Sequence, residues 1–531
     1  MKNYQPRTIW LTLMVIVALL IQYKLPGLTL ETGLIKKWLG MEYSEKENIP
    51  MKKVDLLGDL RIDPQRLEDD KTDSTLLAQL NAAQQMTVAP QNAVPADSSA
   101  TGTDSVKAPE TAQIPSSFVV IDSAKGKENQ LLAGFRDTTP RTEGIVEIID
   151  YGTESNLGMD RFYAALEHVK ERPVRIAFFG DSFIEGDILT GWLRNLMQQE
   201  WGGKGVGYIE IAPETAGFRT TVTHRHHGWD LHKWLNKKTF QKQNQGLSCH
   251  YYTTKSKAWM EGTSVKRYSQ NFNQTNFYFL PRQKDKIKLV TNDTTIFFDC
   301  DKSDTLKTLT YNSTNPLQKA RWSLENEGSE SIFFGMSMDG NTGISIDNLS
   351  MRGQSGTQLL SVPQTHLQAM HKVRKYDLIV LQFGLNVAST QGTNFSHYQH
   401  EMERVVNYLH QAYPEAGFLI LSVGDRRYKN NGNLVTMPGV KNLSLYQHNV
   451  AVQTKIAYWN MLDAMLQLGG IDSMAKAKPT LANQDYTHIN FRGGQLMAEK
   501  LFEAIKSGRG RYERKEAYIN EKRKEMSNET K

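Results

Sequence analysis

Residues 175–186 read RIAFFGDSFIEG, and this stretch decides the fold. Ile176, Ala177, Phe178 and Phe179 form an apolar run that ends at Gly180. A short apolar run closed by glycine is the pattern of a buried parallel strand stopping at a tight turn. Asp181 and Ser182 stand at that turn. Beyond them, 187–199 (DILTGWLRNLMQQ) sets Ile188, Trp192, Leu196 and Met197 at helical spacing, which predicts a helix with one apolar face. Strand, turn and helix together carry the Ser182 hydroxyl to the carboxyl edge of a sheet, where open α/β folds build their sites. The N-terminus of the expected helix lies behind it and favours developing negative charge. A serine in this position is equally suited to capping a helix, so its company along the chain decides its meaning.

The same rhythm recurs downstream. Residues 162–169 (FYAALEHV) read as a helix leading into the strand that begins at Val174. Segments 343–349, 377–383 (DLIVLQF) and 417–423 (GFLILSV) read as further buried strands. Segments 398–412, 443–468 and 494–505 read as helices, the last with Met497, Leu501 and Ile505 on one face. Such alternation predicts a doubly wound parallel sheet. The glycine-rich 202–211 (GGKGVGYIEI) has no Lys-Ser or Lys-Thr after it. It reads as a loop entering a strand rather than a phosphate loop.

Between 216 and 334 the texture changes. Alternating β-type runs are separated by polar turns, and helical periodicity is scarce. This predicts an inserted all-β domain, compact enough that its removal should leave a working α/β core. Within it, 223–229 (THRHHGW) puts His224 and His226 on one strand face, with no carboxylate or cysteine nearby to complete a zinc site. Trp229, Trp234, Tyr251, Tyr252 and Trp259 are candidates for a sugar-stacking platform, although most aromatics of a β domain are core.

The chain has 531 residues, formal charge +6 and a pI near 8.9. Its 39% hydrophobic content is low for a compact globule of this size and implies long polar segments outside the core. The positive excess is mostly terminal and does not argue for nucleic acid. Cys249 and Cys300 are too far apart for a CxxC metal site and either pair in one disulfide or remain two thiols. Residues 8–23 are uncharged and nearly all apolar, Lys2 and Arg7 precede them, and no small-residue cleavage site follows. If Lys24 snorkels, the apolar stretch continues through Leu30 and reaches the roughly 20 residues of a membrane span. The reading is an uncleaved single-pass anchor with the rest of the chain exported to the periplasmic or cell-surface side; a cleaved signal is the alternative. Residues 82–117, rich in Ala, Gln, Pro, Ser and Thr, read as a flexible spacer. The expected division is 1–30 anchor, 31–117 linker, 118–215 and 335–507 α/β domain, 216–334 insertion and 508–531 a charged tail without an apolar stripe.

Chemistry-bearing residues recur at the strand ends. Ser182 follows the first strand, Gly353 (NLSMRGQSG) the second and Asn386 (QFGLNVAS) the third, while Asp485 and His488 (DYTHINFRGG) precede the last helix. In a doubly wound sheet these loops converge on one edge. A serine nucleophile needs a base, which His488 can be. Asp485, three residues earlier, can hold the imidazole tautomer. The backbone N–H groups of Ser182 and Gly353 and the Asn386 amide can stabilise an oxyanion.

That set resembles the SGNH (GDSL) hydrolase superfamily, whose four blocks carry Ser, Gly, Asn and His. The resemblance implies a flavodoxin-like three-layer α/β/α sandwich with a parallel sheet, Ser182, Asp485 and His488 as catalytic triad, and Ser182, Gly353 and Asn386 as oxyanion hole. GDSFIEGDILTGWLR, a GxG segment, a β insertion and a DxxHIxxxGG ending look like exported peptidoglycan O-acetylesterases, whose β insertion is carbohydrate-binding-like. Phe183 departs from that group, many of which carry His there. The implied function is an envelope serine esterase removing O-acetyl groups from polysaccharide, with no cofactor or metal. The alternatives are an O-acetyltransferase working with a multi-span membrane acyltransferase, and a non-catalytic glycan-binding envelope protein. The implied partners are an acetylated glycan and, through the N-terminal helix, the membrane.

Overall fold

The computed structural model describes residues 135–152, 157–233, 240–265, 271–390 and 392–529. The expected anchor, the spacer and Trp234 lie outside them. Among the described residues no helix is long and apolar enough to cross a membrane.

Six strands form the central sheet: β1 (Ile149–Asp150), β2 (Pro173–Gly180), β3 (Gly343–Ser350), β4 (Leu378–Gln382), β5 (Gly417–Leu421) and β6 (Ala457–Trp459). Across the sheet the order is β1-β6-β5-β4-β2-β3. Strands β2 to β6 are parallel, and β1 joins β6 as an antiparallel edge, which departs from the all-parallel expectation. The middle strands are apolar along their whole length because helices cover both faces; Ala177, Phe178 and Phe179 have no exposed surface. Counted along the chain from β2, the parallel strands take the flavodoxin order 2-1-3-4-5, whose switch point lies between β2 and β4.

The helices are α1 (Met159–Glu167), α2 (Thr190–Trp201), α3 (Gln364–Val373), α4 (Ser396–Ala412), α5 (Gly439–Thr454), α6 (Met461–Leu466), α7 (Gly470–Lys476) and α8 (Phe491–Glu529). Helix α8 packs on α1 and α2, and α4 packs on α3 and α5. Right-handed crossovers place these two groups on opposite faces of the sheet.

Three elements differ from expectation. Helix α2 begins at Thr190, not Asp187, because residues 185–187 form a 3-10 turn with Gly186 and Asp187 at positive φ. The helix N-terminus is therefore not directly behind Ser182. Its buried face is Thr190, Leu193, Arg194, Met197 and Gln198, while Trp192 and Leu196 are half-buried. Polar Arg194 and Gln198 turn inward because Asp187 and the carbonyls of Gly205 and Ile344 meet them there. The 443–468 segment is not one helix: β6 interrupts it, a strand of three buried residues, too short to show a period. The charged tail continues α8 and does bury apolar groups. Tyr512 packs on Tyr163 at 5.8 Å and Ile519 is 1% exposed, with Arg514 on Asp137 at 2.7 Å.

Between β2 and β3 lie two antiparallel sheets. One is Thr295–Cys300, Asp285–Thr291, Lys319–Leu324, Ala258–Ser264 and Val222–His227; the other is Lys307–Leu317, Phe272–Leu280, Ser329–Asp339, Tyr251–Thr254 and Asp230–His232. They pack through Trp322, Phe277 and Phe333 in a sandwich. The strand Gly207–Glu210 pairs with Ser329–Asp339, so the second sheet reaches beyond 216–334 on both sides. Tyr251 and Tyr252 are buried in this region, and Trp229 packs on Phe333 at 4.9 Å. These three are core rather than platform. Trp259 instead lies on the outer face under the Arg321 guanidinium, at 4.1 Å. His224 is buried with Nε2 on the Ile211 carbonyl at 3.0 Å, and among the described residues no cluster suited to a metal occurs. Both cysteines are free, and burial pushes the Cys249 thiol up to about 12.

A buried ionic knot joins sandwich and sheet. Arg374, at the end of α3, donates to Asp339 of the sandwich at 2.6 Å and to Asp347 of β3 at 2.6 Å. Tyr376 donates to Asp347 as well, and Arg374 reaches the Tyr278 hydroxyl at 3.3 Å. None of the three charged side chains has exposed surface. Burial alone would raise the Asp339 carboxyl; Arg374 holds it below its ordinary range.

Candidate active site

Strand β2 delivers Ser182 just past Gly180. The turn is fixed by Asp181, which is fully buried and accepts from the amides of Phe183 at 3.0 Å and Leu385 at 3.3 Å. Its own amide donates to the Gln382 carbonyl. Asp181 therefore fastens the end of β2 to the end of β4, across the switch point. Burial pushes its carboxyl up to about 6, against the opposing effect of those amides.

Behind the turn, Asp187 accepts from Arg194 at 2.7 Å, Arg219 at 2.8 Å, Thr190 at 2.8 Å and also Thr221. Asn348 of β3 donates to Asp187 and to the Ile184 carbonyl, at 2.9 and 2.7 Å. Burial would raise the Asp187 carboxyl, and the two guanidinium groups override it and hold it far down.

The turn before α8 brings His488 to Ser182. Ser182 Oγ lies 2.9 Å from His488 Nε2, and His488 Nδ1 lies 2.7 Å from Asp485 Oδ2. The other Asp485 oxygen accepts the amides of Thr487 and His488, at 3.0 and 3.1 Å. Burial acts to raise the Asp485 carboxyl, but the His488 ring and these amides bring it below its usual range. A carboxylate that stays ionised accepts a hydrogen bond from Nδ1–H, which leaves Nε2 unprotonated and facing the Ser182 hydroxyl. Tyr486, between them, holds φ +50°, a strained backbone of the kind that collects at functional sites. The His488 and Asp485 side chains are 35% and 48% exposed, so the site is open to solvent.

The remaining predicted residues stand in adjoining loops. Met351 N donates to the Gly180 carbonyl at 2.7 Å, which draws the Gly353 loop against the Ser182 turn. Gly353 has φ +75°, and a Cβ there would meet nothing within 4 Å; its backbone faces open space. The Asn386 amide donates to the Gln354 carbonyl at 2.9 Å, joining the loops after β4 and β3 and leaving its second N–H. Gly384 is required by its surroundings: φ is +137° and a Cβ would lie 2.6 Å from Val423 Cβ. The structure thus links Ser182, His488 and Asp485 directly and places Gly353 and Asn386 at the same edge.

Several neighbours carry no signal in the sequence. Arg352 pairs with Glu185 at 2.8 Å beside the nucleophile turn. Burial raises the Glu185 carboxyl against the pull of Arg352. A two-stranded hairpin, Arg427–Asn430 with Asn433–Thr436, flanks the Asp485 turn and is tied to it by Arg427 N on the Tyr486 carbonyl at 3.0 Å. These are single charges in loops, and only the fold brings them to the site.

A flavodoxin-order sheet with a serine–histidine–carboxylate chain at its switch edge resembles the SGNH hydrolases. A peptidoglycan O-acetylesterase of known structure superposes on 68% of this chain and 99% of its own, with a TM-score of 0.55 and 21% identity, and so shares the fold. A family two carbohydrate esterase from Clostridium thermocellum covers 49% of this chain and 94% of its own at TM-score 0.24 and 11% identity. A salicylyl-acyltransferase from a tetracycline biosynthetic pathway covers 56% and 98% at TM-score 0.25 and 12% identity. No protein-family profile matches the chain, and no curated protein matches it.

Proposed function

We propose that the protein is a serine esterase that removes O-acetyl groups from a cell-envelope polysaccharide. Ser182 Oγ attacks the acetyl carbonyl while His488 Nε2 takes its proton. Asp485 orients the imidazole and stabilises the imidazolium. The oxyanion is received by the N–H groups of Ser182 and Gly353 and the Asn386 amide. His488 returns the proton to the departing sugar hydroxyl. A water, deprotonated by the same histidine, then releases acetate from the acyl-serine. The observation that carries this reading is the pair of contacts at 2.9 and 2.7 Å joining Ser182, His488 and Asp485. The apolar residues 8–23 support an envelope location.

The test is acetate release from O-acetylated glycans by purified protein, with labelling by a serine-directed phosphonate. Acetate release lost in Ser182→Ala, by a factor on the order of 10⁴, together with labelling at Ser182, is the expected result. Labelling at another serine overturns the assignment. Acetyl transfer to a sugar hydroxyl in excess of acetate release makes the protein a transferase.

A further inference from the structure

Beside the Asp485 turn lies an open pocket of about 510 Å³, walled by the hairpin and by Arg426, Tyr428, Lys429 and Tyr486. We infer that this pocket is a subsite for a carboxylate-bearing sugar of the glycan, an inference that rests on the esterase reading of the adjacent site. Three cations meet there, but they are not equivalent. Arg427 is committed to Asp425 and Asp472, at 3.5 and 3.4 Å. Arg426 uses one N–H on the Leu385 carbonyl at 2.7 Å, and Lys429 is exposed. Neither of these two is paired with a carboxylate among the described residues.

The Leu385 contact also fixes where the subsite stands. Leu385 adjoins Asn386, and Asp485 forms part of the pocket wall, so a sugar held here is next to the one presented to Ser182. The facing carboxylate, Asp485, has both oxygens engaged by its own turn and by His488. It does not neutralise Arg426 or Lys429. Two cations without a carboxylate partner, facing one engaged carboxylate, suit a singly charged anion, which a planar guanidinium grips through the N–H groups it has left. Half-buried Tyr428 and Tyr486 add ring faces of the amphipathic kind that pack against a sugar. The ligand is thus an acidic sugar within a polymer, not a free inorganic anion.

The probes are O-acetylated oligogalacturonate, with a carboxylate on each sugar, and neutral O-acetylated xylo-oligosaccharide. The wild-type protein should favour the acidic substrate by about tenfold or more in kcat/KM at low salt, and high salt should narrow that ratio. Lys429→Glu, at an exposed position where folding is not at stake, and Arg426→Gln should each reduce the ratio about tenfold, mostly through KM. Unacetylated oligogalacturonate should bind the wild-type protein and bind Lys429→Glu at least about fivefold more weakly. Binding of this kind by a protein that hydrolyses no acetyl ester would overturn the esterase reading and leave the subsite standing. Hydrolysis of both substrates with a ratio unmoved by either variant would overturn the subsite and leave the esterase standing.

Discussion

His488 stands 306 residues from Ser182 in the chain and 2.9 Å from it in space. At the residue scale, the donors around that contact differ in what they contribute. In the proposed reaction the Asn386 amide acts on charge that exists only in the transition state, so Asn386→Ala should lower kcat by about 10²–10³ with little change in KM; steady-state kinetics on a simple acetyl ester check it. Asp181 acts on stability instead. Its folded carboxyl is raised from 3.8 to about 6 by burial. The stability this lends is complete below the unfolded value and is lost as pH rises through about 6. Asp181→Asn removes that loss. Relative to wild type, the variant should gain on the order of 3 kcal/mol between about pH 4 and about pH 7, measured by denaturant unfolding across that range. A constant difference at all pH values would contradict it. The placement of Ser182, Gly353, Asn386, Asp485 and His488 at one sheet edge was legible because each follows a strand or precedes a helix in a fixed order. The bond of Asp181 to Leu385 was not legible, because it depends on which strand lies next to β2.

At the element scale, the turn 182–188 takes its shape from Asp187, which gathers two guanidinium groups and two hydroxyls without any exposure. Asp187→Ala leaves Arg194 buried and uncompensated, and such losses cost about 3–5 kcal/mol. Because Asn348 binds both Asp187 and the Ile184 carbonyl, the same change should loosen the nucleophile turn and lower kcat. Thermal unfolding and ester hydrolysis together check this, and a stable variant of full activity would refute it. The folded Asp187 carboxyl is held below its unfolded value, so its contribution is present above roughly pH 4 and fades as pH falls below that. This network also explains what the sequence hid. Arg194 and Gln198 stand outside the apolar face that helical spacing picks out, and only buried partners on the sheet side turn them inward. Strand β6, with three residues, is likewise invisible to periodicity.

At the scale of the whole molecule, the sandwich and the sheet share charge and strand. The β texture of 216–334 was legible from alternation, and its independence was not a property that alternation could report. Strand Gly207–Glu210 pairs into the sandwich from before that segment, and Asp339 reaches Arg374 from beyond it. Excising 216–334 would remove the strand Phe272–Leu280 that flanks residues 335–338 on their other side, and would take Tyr278 out of the knot. The deletant is therefore expected to be insoluble or molten, in place of the working core that the sequence implies; a cooperative unfolding transition in the purified deletant would reverse this. Arg374→Met tests the joint without cutting the chain. It leaves Asp339 and Asp347 buried without their cation and should cost about 3–5 kcal/mol, read from the denaturant midpoint.

The placement of the sandwich between β2 and β3 has a consequence in time. Pro173 and Gly343 are opposite one another in neighbouring strands, yet the whole sandwich is synthesised between them. The central apolar strand must wait for its partner while residues 181–342 emerge and pair among themselves. Long-range parallel pairing is slow, since loop closure precedes any reward. During that interval Phe178 and Phe179 are a sticky unpaired edge. A sandwich that folded before β3 emerged would bring its own two ends together and hand β3 to β2 across a small gap.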